Sequence, residues 1–202
     1  MFKILDKNIK SLDYKHSFNI TYPRSVNIIY GNYPYPDVIN NLIIEIKNNL
    51  SDKMENYTNV KGGMTDWDHF VNHALLDKFL TYLINKHQFT HPGLFEFFYN
   101  KMFVKNAWGN EIKKGDSVGF HTHPCTHGLL FLSKGCDLIF PELNITITPE
   151  PGDYYIFPGE ILHGFNKHTG DLNRYTLVFN ILQGDIFKFQ NKVKELNERK
   201  DI

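Results

Sequence analysis

From about residue 95 to residue 181 the chain breaks into short β-rich runs: FEFFYNKMFVKNAW, DSVGFHTH, GLLFL, CDLIF, ITIT, DYYIF, LHGF and RYTLVFNI. Gly, Pro, Asn and Asp separate them. Such regular short strands predict an antiparallel sandwich or barrel. RYTLVFNI divides cleanly with period two. Tyr175, Leu177, Phe179 and Ile181 form an entirely apolar face that should pack against helices. Arg174, Thr176, Val178 and Asn180 share the other face.

Upstream the period changes. After Asp37, Ile39, Ile43, Ile46 and Leu50 recur at helical spacing and predict a first helix. Thr65, with Asp68 three residues on, reads as the N-cap of a second. Its apolar stripe runs through Val71, Leu75, Phe79 and Tyr82 and ends near His87. Between the two helices a polar loop is expected to about residue 64. The first 36 residues read as strands and turns, with SFNITY and VNIIY as β-runs and GNYPYP as a stop. The tail GDIFKFQNKVKELNERK predicts a closing helix, with Ile186, Phe189, Val193 and Leu196 on one side. The expected organisation is a single domain over 1–202: strands and supporting helices over 1–94, a β-core over 95–181 and a C-terminal helix over 182–202.

A length of 202 residues suits one domain with a substantial core. Lys+Arg and Asp+Glu both number 22, so no net charge attracts a phosphate backbone and no nucleic-acid partner is expected. No apolar run approaches the roughly 20 residues that span a bilayer. The opening MFKILDKNIK lacks the apolar segment of a signal peptide. The expectation is a cytoplasmic protein without a membrane partner. Cys125 and Cys136 suggest no disulfide framework. Cys125 lies within a histidine cluster, where thiolate ligation competes with the reading of a buried free thiol.

That cluster is GFHTHPCTHG, with His121, His123 and His127. Alternate strand residues face one side, roughly 6.6 Å apart, so His121 and His123 are expected to project together and converge on a cation. His163, after the Pro158–Gly159 turn, is the best candidate for a third ligand. Imidazole suits borderline metals such as iron, zinc, copper and nickel. Arg174 is a second signal. A guanidinium on a central strand needs an anionic partner. Either a fixed acid such as Asp153 or Glu142 supplies it, or a bound carboxylate does, with Thr176 adding a hydroxyl. His127, Trp108, Asn106 and Asn180 are candidates for the surroundings of the site or for substrate contact. His69, His73, His87 and His91 lie on or next to the second predicted helix; His69 and His73 have the i, i+4 spacing that can bind metal, but a solvated helical face is the better reading.

His-x-His, the distal FPGEILHGF histidine and Arg174-x-Thr176 together resemble the iron(II)- and 2-oxoglutarate-dependent oxygenases. The stretch from Trp108 to Ile181 is particularly similar to members of that superfamily from phages and marine bacteria, and TNVKGGMTDW extends the resemblance to about residues 58–181. The resemblance implies a mainly β fold with flanking helices, its core a double-stranded β-helix of jelly-roll or cupin-like form. It implies Fe(II), 2-oxoglutarate as co-substrate and O2, with hydroxylation of a small molecule or peptidyl side chain and release of succinate and CO2. His121 and His163 stand at the family's imidazole ligands, and Arg174 with Thr176 at its co-substrate carboxylate site. His123 stands where the family usually has a carboxylate. It is either the third ligand or a neighbour of the metal.

The runner-up resemblance is to the cupins, through Gly115, the His-x-His pair, Gly152, Pro158, His163 and Asn166, with His127 near the cupin glutamate. A three-histidine cupin enzyme that does not use 2-oxoglutarate, or a non-catalytic metal-binding barrel, would follow. Arg174-x-Thr176 is not required by that pattern. The N-terminal strands and the loop around 51–65 are expected to close the pocket. The substrate and the choice between monomer and homodimer are left open.

Overall fold

Within residues 26, 28–51, 58–87 and 104–181, which the computed structural model describes, the chain forms two antiparallel sheets and two helices. Strand β1 (Ile29–Asn32) is followed by helix α1 (Pro36–Asn48), the short strands β2 (Val60–Lys61) and β3 (Gly63–Met64), and helix α2 (Ala74–His87). The core strands follow: β4 (Val104–Ile112), β5 (Ser117–His121), β6 (Thr126–Phe131), β7 (Leu138–Phe140), β8 (Ile145–Ile147), β9 (Asp153–Pro158), β10 (His163–Phe165) and β11 (Arg174–Ile181). One sheet has the order β1-β9-β6-β11-β4-β3 and the other β2-β5-β10-β7-β8. The chain crosses repeatedly between them, as in a jelly roll, or double-stranded β-helix.

Period two assigns the two faces of the larger sheet. Trp108, Ile112, Leu129, Phe131, Tyr155, Phe157 and Val178 pack between the sheets with Val118, Leu138, Phe140 and Phe165 of the smaller one. The alternate residues Leu130, Tyr154, Ile156, Tyr175, Leu177, Phe179 and Ile181 pack outward against Ile39, Leu42, Ile46, Leu76, Phe79 and Leu83 of the helices. β11 is therefore buried along all eight residues, as a central strand covered on both faces must be. Helix α1 begins with Pro36 at its first position and Asp37 in its first turn, both favourable at a helix N-terminus. Among the described residues no helix is long and apolar enough to cross a membrane.

Three expectations need correction. The second helix begins at Ala74, not near Thr65. Thr65 is buried, and its Oγ1 accepts the N–H of Gly109 on β4 at 3.0 Å. Residues 67–72 form turns, and Asn72 has φ 62, a left-handed conformation that breaks helical continuity. The stretch to residue 64 is not loop throughout, because β2 pairs with β5 and β3 with β4. His87 lies on no solvated face: it is fully buried, with Nε2 2.7 Å from the Tyr154 hydroxyl. SFNITY, residues 52–57, His91, the run from 95 to 103 and the C-terminal helix with Ile186, Phe189, Val193 and Leu196 lie outside the described residues.

The helix-facing side of β6 needs a bare backbone at Gly128, where a Cβ would overlap the Phe179 ring. That ring meets Phe79 of α2 edge-on at 5.8 Å between centroids. At Gly119 the nearest atom to an added Cβ is the Asn59 carbonyl oxygen at 3.7 Å. Gly128→Ala is therefore expected to cost about 1–3 kcal/mol of stability in urea unfolding, and Gly119→Ala to change it little. Equal effects would contradict this packing.

Candidate metal centre

β5 ends at His121 and β10 begins at His163, and these two residues are direct partners across the strand pair. The pairing places their rings 4.6 Å apart. His123 lies beyond the end of β5, and its backbone N–H donates to the Gly159 carbonyl at 2.6 Å. The histidines thus converge, but by the loop's return to the 158–159 turn rather than by strand alternation. One ligand nitrogen from each of His121, His123 and His163 lies within 4.8 Å of the others.

The hydrogen bonds select the ligating nitrogen. His121 Nδ1 is 2.7 Å from the Gly119 carbonyl and His163 Nδ1 is 2.8 Å from the Ile161 carbonyl. A carbonyl only accepts, so each Nδ1 carries the hydrogen and each Nε2 keeps its lone pair. The Nε2 atoms of His123 and His163 are buried without a hydrogen-bond partner. Burial, reinforced by the neighbouring imidazoles, pushes His163 down to about 3 and His123 to about 4, and burial also lowers His121. The three are neutral at pH 7, the form that ligates.

His127 faces the interior from β6 opposite Asn180 of β11, with its Nδ1 2.8 Å from Asn180 Oδ1. Its ring stacks on His123 at 3.9 Å with an 8° interplanar angle. Burial holds it well below the ordinary histidine range. It buttresses a candidate ligand and stands outside the set of three. Trp108 is buried, 6.3 Å from both the His123 and His127 rings. Asn106 lies apart, donating to Asp68 at 2.8 Å. His69 and His73 are likewise apart: both turn to Glu45, at 3.0 and 3.7 Å.

Further inside, Arg174 is 1% exposed. Its Nη2 donates to Thr176 Oγ1 at 2.8 Å and its Nη1 to Cys136 Sγ at 3.3 Å. The guanidinium carbon lies 3.8 Å from the Phe165 ring centroid and 5.2 Å from that of Phe131. Its Nε has no partner. Among the described residues no carboxylate pairs with it. Asp153 instead bonds to Asn32 and to the Glu150 N–H. Trp108 Nε1 and Asn110 Oδ1 are also buried and unpartnered. Unsatisfied atoms of this kind mark a site shaped for a ligand, and this set suits a metal at the histidines and an anion at the arginine. Sequence reasoning missed Asn110 and Cys136. Asn110 was within reach, two residues from Trp108 on the same face. Cys136 heads the run CDLIF in line with Leu138 and Phe140, but it lies in the loop before β7, and nothing local points to Arg174.

No protein-family model matches the sequence, and no curated protein matches it. Solved structures do match in shape. A viral collagen prolyl hydroxylase from Paramecium bursaria Chlorella virus-1, in complex with 2-oxoglutarate, is 15% identical at a TM-score of 0.55, over 75% of this chain and 94% of that one. HygX from Streptomyces hygroscopicus, with nickel and 2-oxoglutarate bound, is 9% identical at 0.54, over 76% and 82%. A Trichoplax adhaerens prolyl hydroxylase, in complex with a hypoxia inducible factor peptide fragment, is 10% identical at 0.52, over 77% and 83%. The chain has a 2-oxoglutarate–iron(II) oxygenase-like fold.

Neutral histidines, His163 buried and His123 half-buried, make the metal-free protein acid-sensitive. An unfolded chain takes up protons below about 6.5, whereas the folded site resists until about 4 for His123 and about 3 for His163. In that window the unfolded state binds more protons, so stability falls as pH drops from 6.5 towards 4. Chemical unfolding at a series of pH values should show this slope, and His163→Asn should flatten it.

Proposed function

We propose that the protein is a non-haem iron(II)- and 2-oxoglutarate-dependent dioxygenase that hydroxylates a small molecule or a peptidyl side chain, releasing succinate and CO2. The observation that carries the reading is a buried arginine without a carboxylate partner among the described residues, in the same barrel as three converged neutral imidazoles. His121, His123 and His163 would hold Fe(II). Arg174 would pair with the distal carboxylate of 2-oxoglutarate through its planar fork, with Thr176 beside it. When bound, Fe(II) and 2-oxoglutarate would supply the electrons that activate O2.

The chain's own groups prepare that event. The Gly119 and Ile161 carbonyls orient two imidazoles. His127, itself anchored to Asn180, fixes the plane of His123. Phe165 and Phe131 shield the guanidinium from water, which strengthens its attraction for an anion. His123 replaces a carboxylate with a neutral donor, so the site is more positive by one charge, which favours an anionic 2-oxo acid. The peptide held by the Trichoplax neighbour supports keeping peptidyl side chains among the substrates. The all-imidazole set is what favours the second reading, a three-histidine cupin-type enzyme; the unpaired Arg174 favours the first.

Anaerobic titration of the Fe(II)-loaded protein with 2-oxoglutarate should raise a metal-to-ligand charge-transfer band in the visible region. Its absence at confirmed iron loading would move the cupin-type reading ahead. Arg174→Ala should weaken 2-oxoglutarate binding by about 2 kcal/mol or more, some thirtyfold, while metal affinity holds. Equal loss of both would mark the arginine as structural.

A further inference from the structure

Cys136 stands between the barrel interior and the surface. Its Sγ accepts from Arg174 Nη1 at 3.3 Å, and the preceding Gly135 lies so close over the arginine stem that a Cβ there would overlap it. On its other side Cys136 lines a surface cleft of about 580 Å³ with Lys134, Asn166 and Lys167. The arginine it touches is 1% exposed, keeps an unpartnered Nε and has no carboxylate among the described residues. An anion formed on this sulfur would meet a ready cation.

We propose that Cys136 is an oxidation site whose sulfinate occupies Arg174 and excludes the carboxylate of the 2-oxo acid. The inference rests on the 2-oxoglutarate reading of Arg174. The oxidant is hydrogen peroxide, a small molecule that fits the cleft. The Cys136 thiolate attacks one peroxide oxygen, an S–O bond forms, the O–O bond breaks, and the departing hydroxide takes up a proton to become water. Sulfur loses two electrons and peroxide gains them. A second peroxide repeats the step and gives the sulfinic acid, which ionises. Its oxygens extend from sulfur towards the guanidinium and form charge-assisted hydrogen bonds stronger than the thiol contact they replace. Arg174 then has its anion, and the co-substrate has lost its anchor. Cys125, the other free cysteine, is an internal control: it is buried like Cys136, but among the described residues no guanidinium contacts it.

The test uses the full-length protein loaded with Zn(II), which does not cycle with peroxide. 2-Oxoglutarate binding is measured by equilibrium dialysis before and after peroxide, and each cysteine is followed by mass spectrometry. Cys136 should gain oxygen ahead of Cys125, saturating 2-oxoglutarate should slow that gain, and affinity should fall about tenfold or more. C136A should bind with the same affinity before and after peroxide. C136D, which sets a carboxylate beside Arg174 without oxidation, should show the loss from the start. Full oxidation of Cys136 with unchanged affinity would overturn the proposal, as would oxidation of Cys125 with Cys136 untouched. Failure of the reduced wild-type protein to bind 2-oxoglutarate, an arm that involves no peroxide, would instead overturn the reading of Arg174 and this inference with it.

Discussion

A guanidinium sealed inside a β-barrel without a carboxylate is expensive, because burial removes its hydration and nothing of opposite charge replaces it. Among the described residues Arg174 is in that condition, held by neutral groups: a hydroxyl, a thiol and the face of Phe165. Each eases the cost and none cancels the charge. The barrel around it tolerates this because β11 is central, paired on one side to β4 and on the other to β6, so the strand carrying the arginine cannot swing outward. The resulting demand for an anion is the feature on which the functional reading depends.

The opposite demand arises at the histidines. Three imidazoles are brought together and kept neutral by burial, with two of their Nδ1–H groups committed to backbone carbonyls. Lone pairs without hydrogen-bond partners call for a cation as plainly as the unpaired arginine calls for an anion. One strand links the two ends. Along β11, alternate residues run from Arg174 through Thr176 and Val178 to Asn180, which anchors His127 against His123. On the proposed reading, a chelating 2-oxo dicarboxylate would put one end at the metal and the other at the guanidinium.

The helices serve this arrangement from outside. Ile39, Leu42 and Ile46 of α1, with Phe79 and Leu83 of α2, cover the outward face of the larger sheet. That coverage makes β11 apolar on one side while leaving its other side free for polar chemistry. The bare backbone of Gly128 admits the Phe179 ring and lets the layers approach.

Much of this was legible before any coordinates. Period two in RYTLVFNI separated the helix-packing face from the face with Arg174 and Thr176, because strand geometry permits only that division. Turn residues delimited the core strands, and helical spacing located α1. The convergence of His121 and His163 is different in kind. It follows from a cross-strand register between β5 and β10, and local propensity does not determine which strands pair. The same holds where reading failed. Thr65 has the composition of an N-cap, yet its hydroxyl serves Gly109 on β4, and Asn72 delays α2 until Ala74. Sequence alone determined most of the core strands, the two faces of β11 and the residue types from which a metal site and an anion site could be built. Tertiary structure decided which of them meet, that Arg174 has no acidic partner among the described residues, and that Cys136 lies against it, because those facts depend on chain segments that only folding brings together.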